Sequence, residues 1–144
     1  MKENTISATI RSDKGFYVGD VCYILADSLY HDVWGEKYHF RNGSIQDPES
    51  GRVFAVAGTA YGDGSYIGSD GTSFPVDAGV IGLVPLELVG KPDGLGEGKV
   101  VEIPGRAIFW VKDGKFEITF PDNSALTIDT NYEGPFDDGD GWFV

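Results

Sequence analysis

The feature that most constrains the fold is a two-residue turn, Asp113-Gly114, set between two stretches of alternating apolar residues. An Asp-Gly pair favours a tight hairpin in which both turn residues take positive φ angles, so Lys112 should pair with Lys115. Counting outward from that pair places the large apolar side chains of both strands on one face, which we predict to be core. These side chains are Ala107, Phe109, Val111, Phe116, Ile118 and Phe120.

Short stretches with the same period of two recur along the chain, separated by glycine, aspartate, asparagine and proline. This pattern is typical of β structure. We therefore predict a mainly β fold, a single antiparallel β-sandwich or open barrel of about 7–9 short strands. The 144 residues fit one globular domain, 1–144, with an acidic tail at 131–144 that could be flexible.

The alternation also predicts where the other strands lie. A three-stranded meander is expected over 106–130, with one strand before it at 99–103. Further strands are expected at 5–12, 15–23 and 52–61, whereas 35–51 and 90–98 are expected to be loops.

One stretch departs from the β pattern. Leu25, Leu29 and Val33 recur every four residues, Asp27 or Ser28 could cap a helix start, and Gly35 could end it. The sequence thus predicts one short helix near residues 25–34.

Acidic residues outnumber basic ones by 23 to 11, which gives a formal net charge of −12. Such a chain repels phosphate backbones, so direct nucleic-acid binding is not expected, whereas basic proteins and cations are natural partners. No apolar run is long enough to span a bilayer, so no membrane partner is expected. Since Cys22 is the single cysteine, no internal disulfide can form, and a cytoplasmic location is expected.

The central segment 59–84 interleaves glycine, aspartate and aromatic residues and is the candidate functional site. A hairpin that turns at 69–71 would bring Asp63 and Asp77 to the same end. Asp77 lies between Val76 and Ala78, where burying a carboxylate is costly unless a partner is present. Turn formation is nevertheless the more common role of aspartate beside glycine.

We consider four residues of this segment as ligand-binding candidates: Tyr61, Asp63, Tyr66 and Asp77. The two aspartates could also bind a divalent cation, Ca²⁺ or Mg²⁺, through their hard oxygen ligands. The spacing of an EF-hand loop is absent both here and in the acidic stretch that ends the chain.

Other catalytic chemistries find little support. One cysteine and two scattered histidines, His31 and His39, indicate neither a zinc site nor a Cys–His nucleophile. The glycines at 94–98 lack the spacing of a phosphate-binding loop, and no catalytic residue is assigned.

Two elements resemble small uncharacterised proteins of bacterial and phage genomes. The first is Tyr17-Val-Gly-Asp-Val-Cys-Tyr23. The second is Gly58-Thr-Ala-Tyr-Gly-Asp-Gly-Ser-Tyr66, continued by Phe74-Pro-Val-Asp-Ala-Gly-Val-Ile-Gly-Leu-Val-Pro85. The group usually carries proline where this chain has Val21. The resemblance implies a cytoplasmic bacterial or phage protein and brings no established activity with it.

Three functions remain open at this point. The favoured one is a non-enzymatic protein that binds a small ligand or a host protein through segment 59–84. The second is a divalent-metal hydrolase that uses Asp63 and Asp77. The third is an acidic mimic of nucleic acid that occupies a basic partner.

Overall fold

A computed structural model of the chain describes residues 5–131. The predicted acidic tail at 131–144 lies outside these residues except for Asn131. Within them the chain forms eleven strands: β1 Thr5–Ser12, β2 Phe16–Gly19, β3 Gly43–Gln46, β4 Val53–Gly58, β5 Gly64–Ile67, β6 Ser73–Val76, β7 Val80–Pro85, β8 Lys99–Val101, β9 Gly105–Lys112, β10 Lys115–Thr119 and β11 Ala125–Asp129. The helical segments are Val21–Tyr23, Ser28–Lys37, Leu86–Leu88 and Pro92–Glu97.

The predicted β9–β10 hairpin is confirmed in its turn, its register and its faces. Asp113 and Gly114 have φ angles of 51° and 82°, and Lys112 lies opposite Lys115. The predicted core side chains of both strands are buried. Local turn chemistry was therefore sufficient to set this pairing.

The strands form two main antiparallel sheets, which confirms the mainly β class; the sheets do not close into a barrel. One sheet has the order β1-β9-β10-β11 and the other the order β3-β4-β7-β2-β8. One hydrophobic cluster contains apolar side chains of both sheets, so the sheets pack face to face. The eleven strands exceed the predicted 7–9, partly because β3 forms inside the stretch predicted as a loop.

The five-stranded sheet is covered on both faces. Its second face packs against the helix Ser28–Lys37 and the turn Val21–Tyr23 in a separate hydrophobic cluster. As a result, every residue of β2 and of β7 is buried.

The predicted helix exists, but its boundaries are wrong by three residues at each end. The buried Leu25 precedes the helix and forms a β-bridge with Val89. The segment is a π-helix, in which each N–H bonds to the carbonyl five residues back. The N–H of Tyr38, for example, donates to the carbonyl of Val33 at 3.2 Å. A pattern read at the usual helical period did not locate these ends.

One strand prediction also needs correction. The strand predicted at 15–23 stops at Gly19, because the Asp20 side chain caps the turn Val21–Tyr23 that follows. The strand predicted before the meander forms as β8, and it pairs with β2.

Candidate binding surface in segment 59–84

The loop that follows β4 carries Tyr61 and is fixed by hydrogen bonds. The N–H of Thr59 donates to the carbonyl of Gly79 at 3.0 Å. The N–H of Ala60 donates to Oγ1 of Thr130 at 2.9 Å. Tyr61 itself is 64% exposed. A large aromatic side chain is thus held out to solvent on an anchored backbone.

Tyr66 lies beneath this loop in the main core and is fully buried. Its hydroxyl donates to the carbonyl of Gly62 at 3.0 Å, and Oγ1 of Thr59 donates to the same carbonyl at 2.6 Å. Tyr66 therefore supports the loop from the core side, and none of its surface is open to a ligand.

A groove with a volume of about 800 Å³ runs beside the loop. Small and uncharged residues make up most of its wall, and Tyr61 follows the wall residue Ala60 directly. The lining residues are Thr5, Ile6, Asn42, Ala57, Gly58, Thr59, Ala60, Val111, Asp113 and Gly114. Small side chains allow a bound molecule to approach the protein backbone closely.

Asp63 and Asp77 lie at the same end of the β5–β6 hairpin, as the sequence predicted. They flank its first pair, Gly64 opposite Val76. Both aspartates are exposed to solvent. Asp77 is therefore not buried, although its apolar neighbours in the sequence indicated burial. Asp77 also accepts a hydrogen bond from the hydroxyl of Tyr23 at 2.8 Å.

The buried carboxylate of this region is Asp20, which is fully inaccessible to solvent. Its Oδ2 accepts hydrogen bonds from the N–H groups of Asp77 and Ala78, at 2.8 and 2.6 Å. Its Oδ1 accepts from the N–H of Cys22 at 3.0 Å. Sequence reasoning missed this role, although Asp20 stands in an apolar stretch just as Asp77 does. Asp20 thus connects the turn Val21–Tyr23 with segment 59–84.

Cys22 lies beside this carboxylate and is partly exposed. Partial burial and the negative charge of Asp20 raise the pKa of the Cys22 thiol to about 12. At neutral pH the side chain is therefore a protonated thiol, whereas an activated nucleophile has a lowered pKa.

Asp70, the third aspartate of segment 59–84, belongs to a turn. It accepts hydrogen bonds from the N–H and the hydroxyl of Thr72, and it pairs with Lys99 at 2.6 Å. Partial burial raises the pKa of Asp70, but the hydrogen bonds from Lys99 and Thr72 outweigh this effect and lower the pKa to about 2. Its role is structural, because it ties the β5–β6 turn to the start of β8.

Within residues 5–131 no three or more His, Cys, Asp or Glu side chains are grouped so that they could hold a metal ion.

Comparison with known proteins gives no assignment. No protein family profile, curated protein or solved structure matches the chain. None of the helices that the structure describes is long and apolar enough to cross a membrane.

Proposed function

We propose that this chain is a non-enzymatic binding protein whose contact surface is formed by Tyr61, Asp63 and the adjoining groove. The observation that carries the proposal is the 64% exposure of Tyr61 beside a groove of about 800 Å³. Aromatic side chains supply much contact area at low entropic cost, and an anchored loop loses little freedom on binding.

The charges of this surface favour a neutral or basic ligand. Asp113 is the charged residue of the groove wall, and the exposed Asp63 lies two residues from Tyr61. A lysine or arginine of a partner could contact the ring of Tyr61 and a carboxylate together. We therefore propose a small uncharged or cationic molecule, or a basic protein, as the ligand, and a cytoplasmic location in keeping with the free thiol of Cys22.

A fragment screen followed by amide chemical shifts tests this proposal. We expect fragments to shift the signals of Ala60, Tyr61 and Gly114, and Tyr61→Ala to abolish those shifts. Ile108→Ala is the matched control, because Ile108 is also a large exposed residue, at 45%, and is not part of the groove wall. Fragment binding that is unchanged in Tyr61→Ala, or confined to other surfaces, would refute the proposal.

The shared position of Asp63 and Asp77 favours a second candidate, a divalent-cation site that supports hydrolysis. Two carboxylates at one end of a hairpin are suitable oxygen ligands for Ca²⁺ or Mg²⁺. Titration calorimetry with each cation tests it, since Asp63→Asn should remove any binding that these residues provide. Equal heats for the variant and the unmodified chain would exclude this site.

An acidic mimic of nucleic acid is the third candidate, and it requires free carboxylates in a row. Within residues 5–131, four carboxylates are instead engaged in ion pairs with lysine or arginine. They are Asp13, Asp27, Asp70 and Glu87. We therefore rank this candidate last.

A further inference from the structure

One side of the four-stranded sheet is open to solvent. The five-stranded sheet is covered on the side away from the main core by the helix Ser28–Lys37 and the turn Val21–Tyr23. In the four-stranded sheet the odd-numbered residues of β1, β10 and β11 and the even-numbered residues of β9 point away from the core, and all of them are exposed or half-buried. We call the surface that these residues form the open face.

Positive charge is concentrated on the open face. Its basic residues are Arg11, Arg106, Lys112 and Lys115, and its acidic residues are Glu117 and Asp129. Elsewhere in residues 5–131, acidic residues outnumber basic ones by sixteen to six. A negatively charged partner is therefore repelled by most of the surface and oriented towards this face.

The four cations form two pairs of like charge. Arg11 lies directly opposite Arg106, and Lys112 lies directly opposite Lys115; we call these the arginine pair and the lysine pair. All four residues are exposed. Like charges directly opposite each other destabilise a sheet, and the Cβ atoms of such residues are only about 5 Å apart. One carboxylate of a partner could therefore contact both members of a pair and relieve their repulsion.

Carboxylates at the rim of the open face do not neutralise these pairs. Asp129 and Asp122 accept hydrogen bonds from residues that follow them closely in the chain, and Asp13 is paired with Arg52 at 2.8 Å. Asp113 is exposed in the turn that joins the two lysines. Among the described residues no carboxylate lies within ion-pair distance of the four cations, so the face retains its excess of basic charge.

The centre of the open face, between the two pairs, carries apolar side chains. Ile108 is 45% exposed and Trp110 is half-buried, and both lie between Arg106 and Lys112 on β9. Because an antiparallel strand rises about 3.4 Å per residue, the two pairs lie about 20 Å apart. Glu117 lies opposite Trp110, so a carboxylate of a partner is disfavoured at this centre. The face thus matches a segment that is acidic at two points about 20 Å apart and apolar between them.

We propose that the open face is a second docking site, and that it binds an extended acidic protein segment whose carboxylates flank an apolar stretch. One end of the segment contacts the arginine pair, the other end contacts the lysine pair, and the apolar stretch packs on Ile108 and Trp110. The groove beside Tyr61 meets the open face at Thr5 but includes none of these side chains, so this proposal does not rest on the function proposed for the groove.

The test uses a capped peptide of about nine residues, with two glutamates at each end and serine, leucine and phenylalanine between them. It is titrated into the whole protein and followed by amide chemical shifts, which we expect to centre on Arg106, Ile108 and Trp110. A clustered peptide of the same composition, with all its glutamates at one end, should bind at least about threefold more weakly, because it reaches only one pair. A peptide with lysine in place of glutamate should bind at least about tenfold more weakly.

The same signals distinguish other occupants of the open face. A single-stranded oligothymidylate of equal charge that binds more tightly than the peptide would assign the face to nucleic acid. Shifts of these signals when the protein is diluted without peptide would assign the face to a second copy of the chain. Either result would overturn the proposal.

Variants complete the test. Arg106→Glu and Trp110→Ala should each weaken binding at least about fivefold. Lys37→Glu is the matched control and should leave binding unchanged, because Lys37 is an exposed cation on the helix that covers the other sheet. Since Arg106 is exposed, Arg106→Glu keeps the proposal testable if Trp110→Ala does not fold. Absence of binding, equal binding of the clustered peptide, or shifts centred on another surface would each overturn the proposal.

Discussion

Removing the buried carboxylate of Asp20 should strongly destabilise the fold. In Asp20→Ala the N–H groups of Cys22, Asp77 and Ala78 all lose their acceptor. Hydrogen bonds to a charged group contribute about 1.5–3 kcal/mol each, but the cost of keeping a carboxylate out of water cancels part of that gain. We expect a net loss of about 2–4 kcal/mol, a large share of the roughly 5–15 kcal/mol typical of one domain.

Asp20→Asn should cost about half as much, because its amide oxygen can still accept from Asp77 and Ala78 while its NH₂ group faces the N–H of Cys22. Asp77→Asn is the matched control. The Asp77 side chain is exposed and accepts one hydrogen bond from Tyr23, so its change should stay within about 0.5 kcal/mol.

Equilibrium unfolding in urea measures these differences as shifts of the midpoint at constant slope. A loss of less than about 1 kcal/mol in Asp20→Ala, or a loss no larger than that of Asp77→Asn, would refute the stabilising role of the Asp20 carboxylate. Either result would mean that water or backbone relaxation replaces the three hydrogen bonds in the variant.

Three further predictions concern pH, reactivity and packing. The pKa of Asp70 is about 2 in the folded state against an ordinary 3.8. Its stabilising effect should therefore be complete above that ordinary value and be lost as the pH falls towards 2, and acid unfolding of Lys99→Gln should show a weaker dependence in this range. Cys22, with a pKa of about 12, should react with iodoacetamide at pH 8 at least about tenfold more slowly than a free thiol, and faster in Asp20→Asn; a normal rate contradicts the assigned environment. Gly82→Ala should lower the free energy of unfolding in urea by about 1–3 kcal/mol, because the added Cβ would lie 2.6 Å from the Val21 side chain. An unchanged unfolding midpoint would show that the neighbouring atoms move to make room for this Cβ.

Features that depend on neighbouring residues were predictable. The β9–β10 hairpin follows from Asp113-Gly114 and the alternation around it, and the structure confirms both. The shared position of Asp63 and Asp77 likewise follows from one turn and the period of two. In both cases a tight turn fixes which residues face each other, so no distant contact is needed.

The candidate site was predictable only in part. Tyr61 is exposed, but Tyr66 five residues later is buried, although both stand among similar glycine and aspartate neighbours. What separates them is the core beneath β5, which is built by strands distant in sequence. The same holds for Asp20, whose partners Asp77 and Ala78 lie more than fifty residues away.

The sequence by itself determined the mainly β class, the β9–β10 and β5–β6 hairpins and the position of a short helix to within three residues. Only the tertiary structure decided that β8 pairs with β2, and that β2 and β7 form a layer buried on both faces. Alternation is informative when one face of a strand meets water and the other meets the core. A strand covered on both faces has no such contrast, so its partners are chosen by packing between distant parts of the chain.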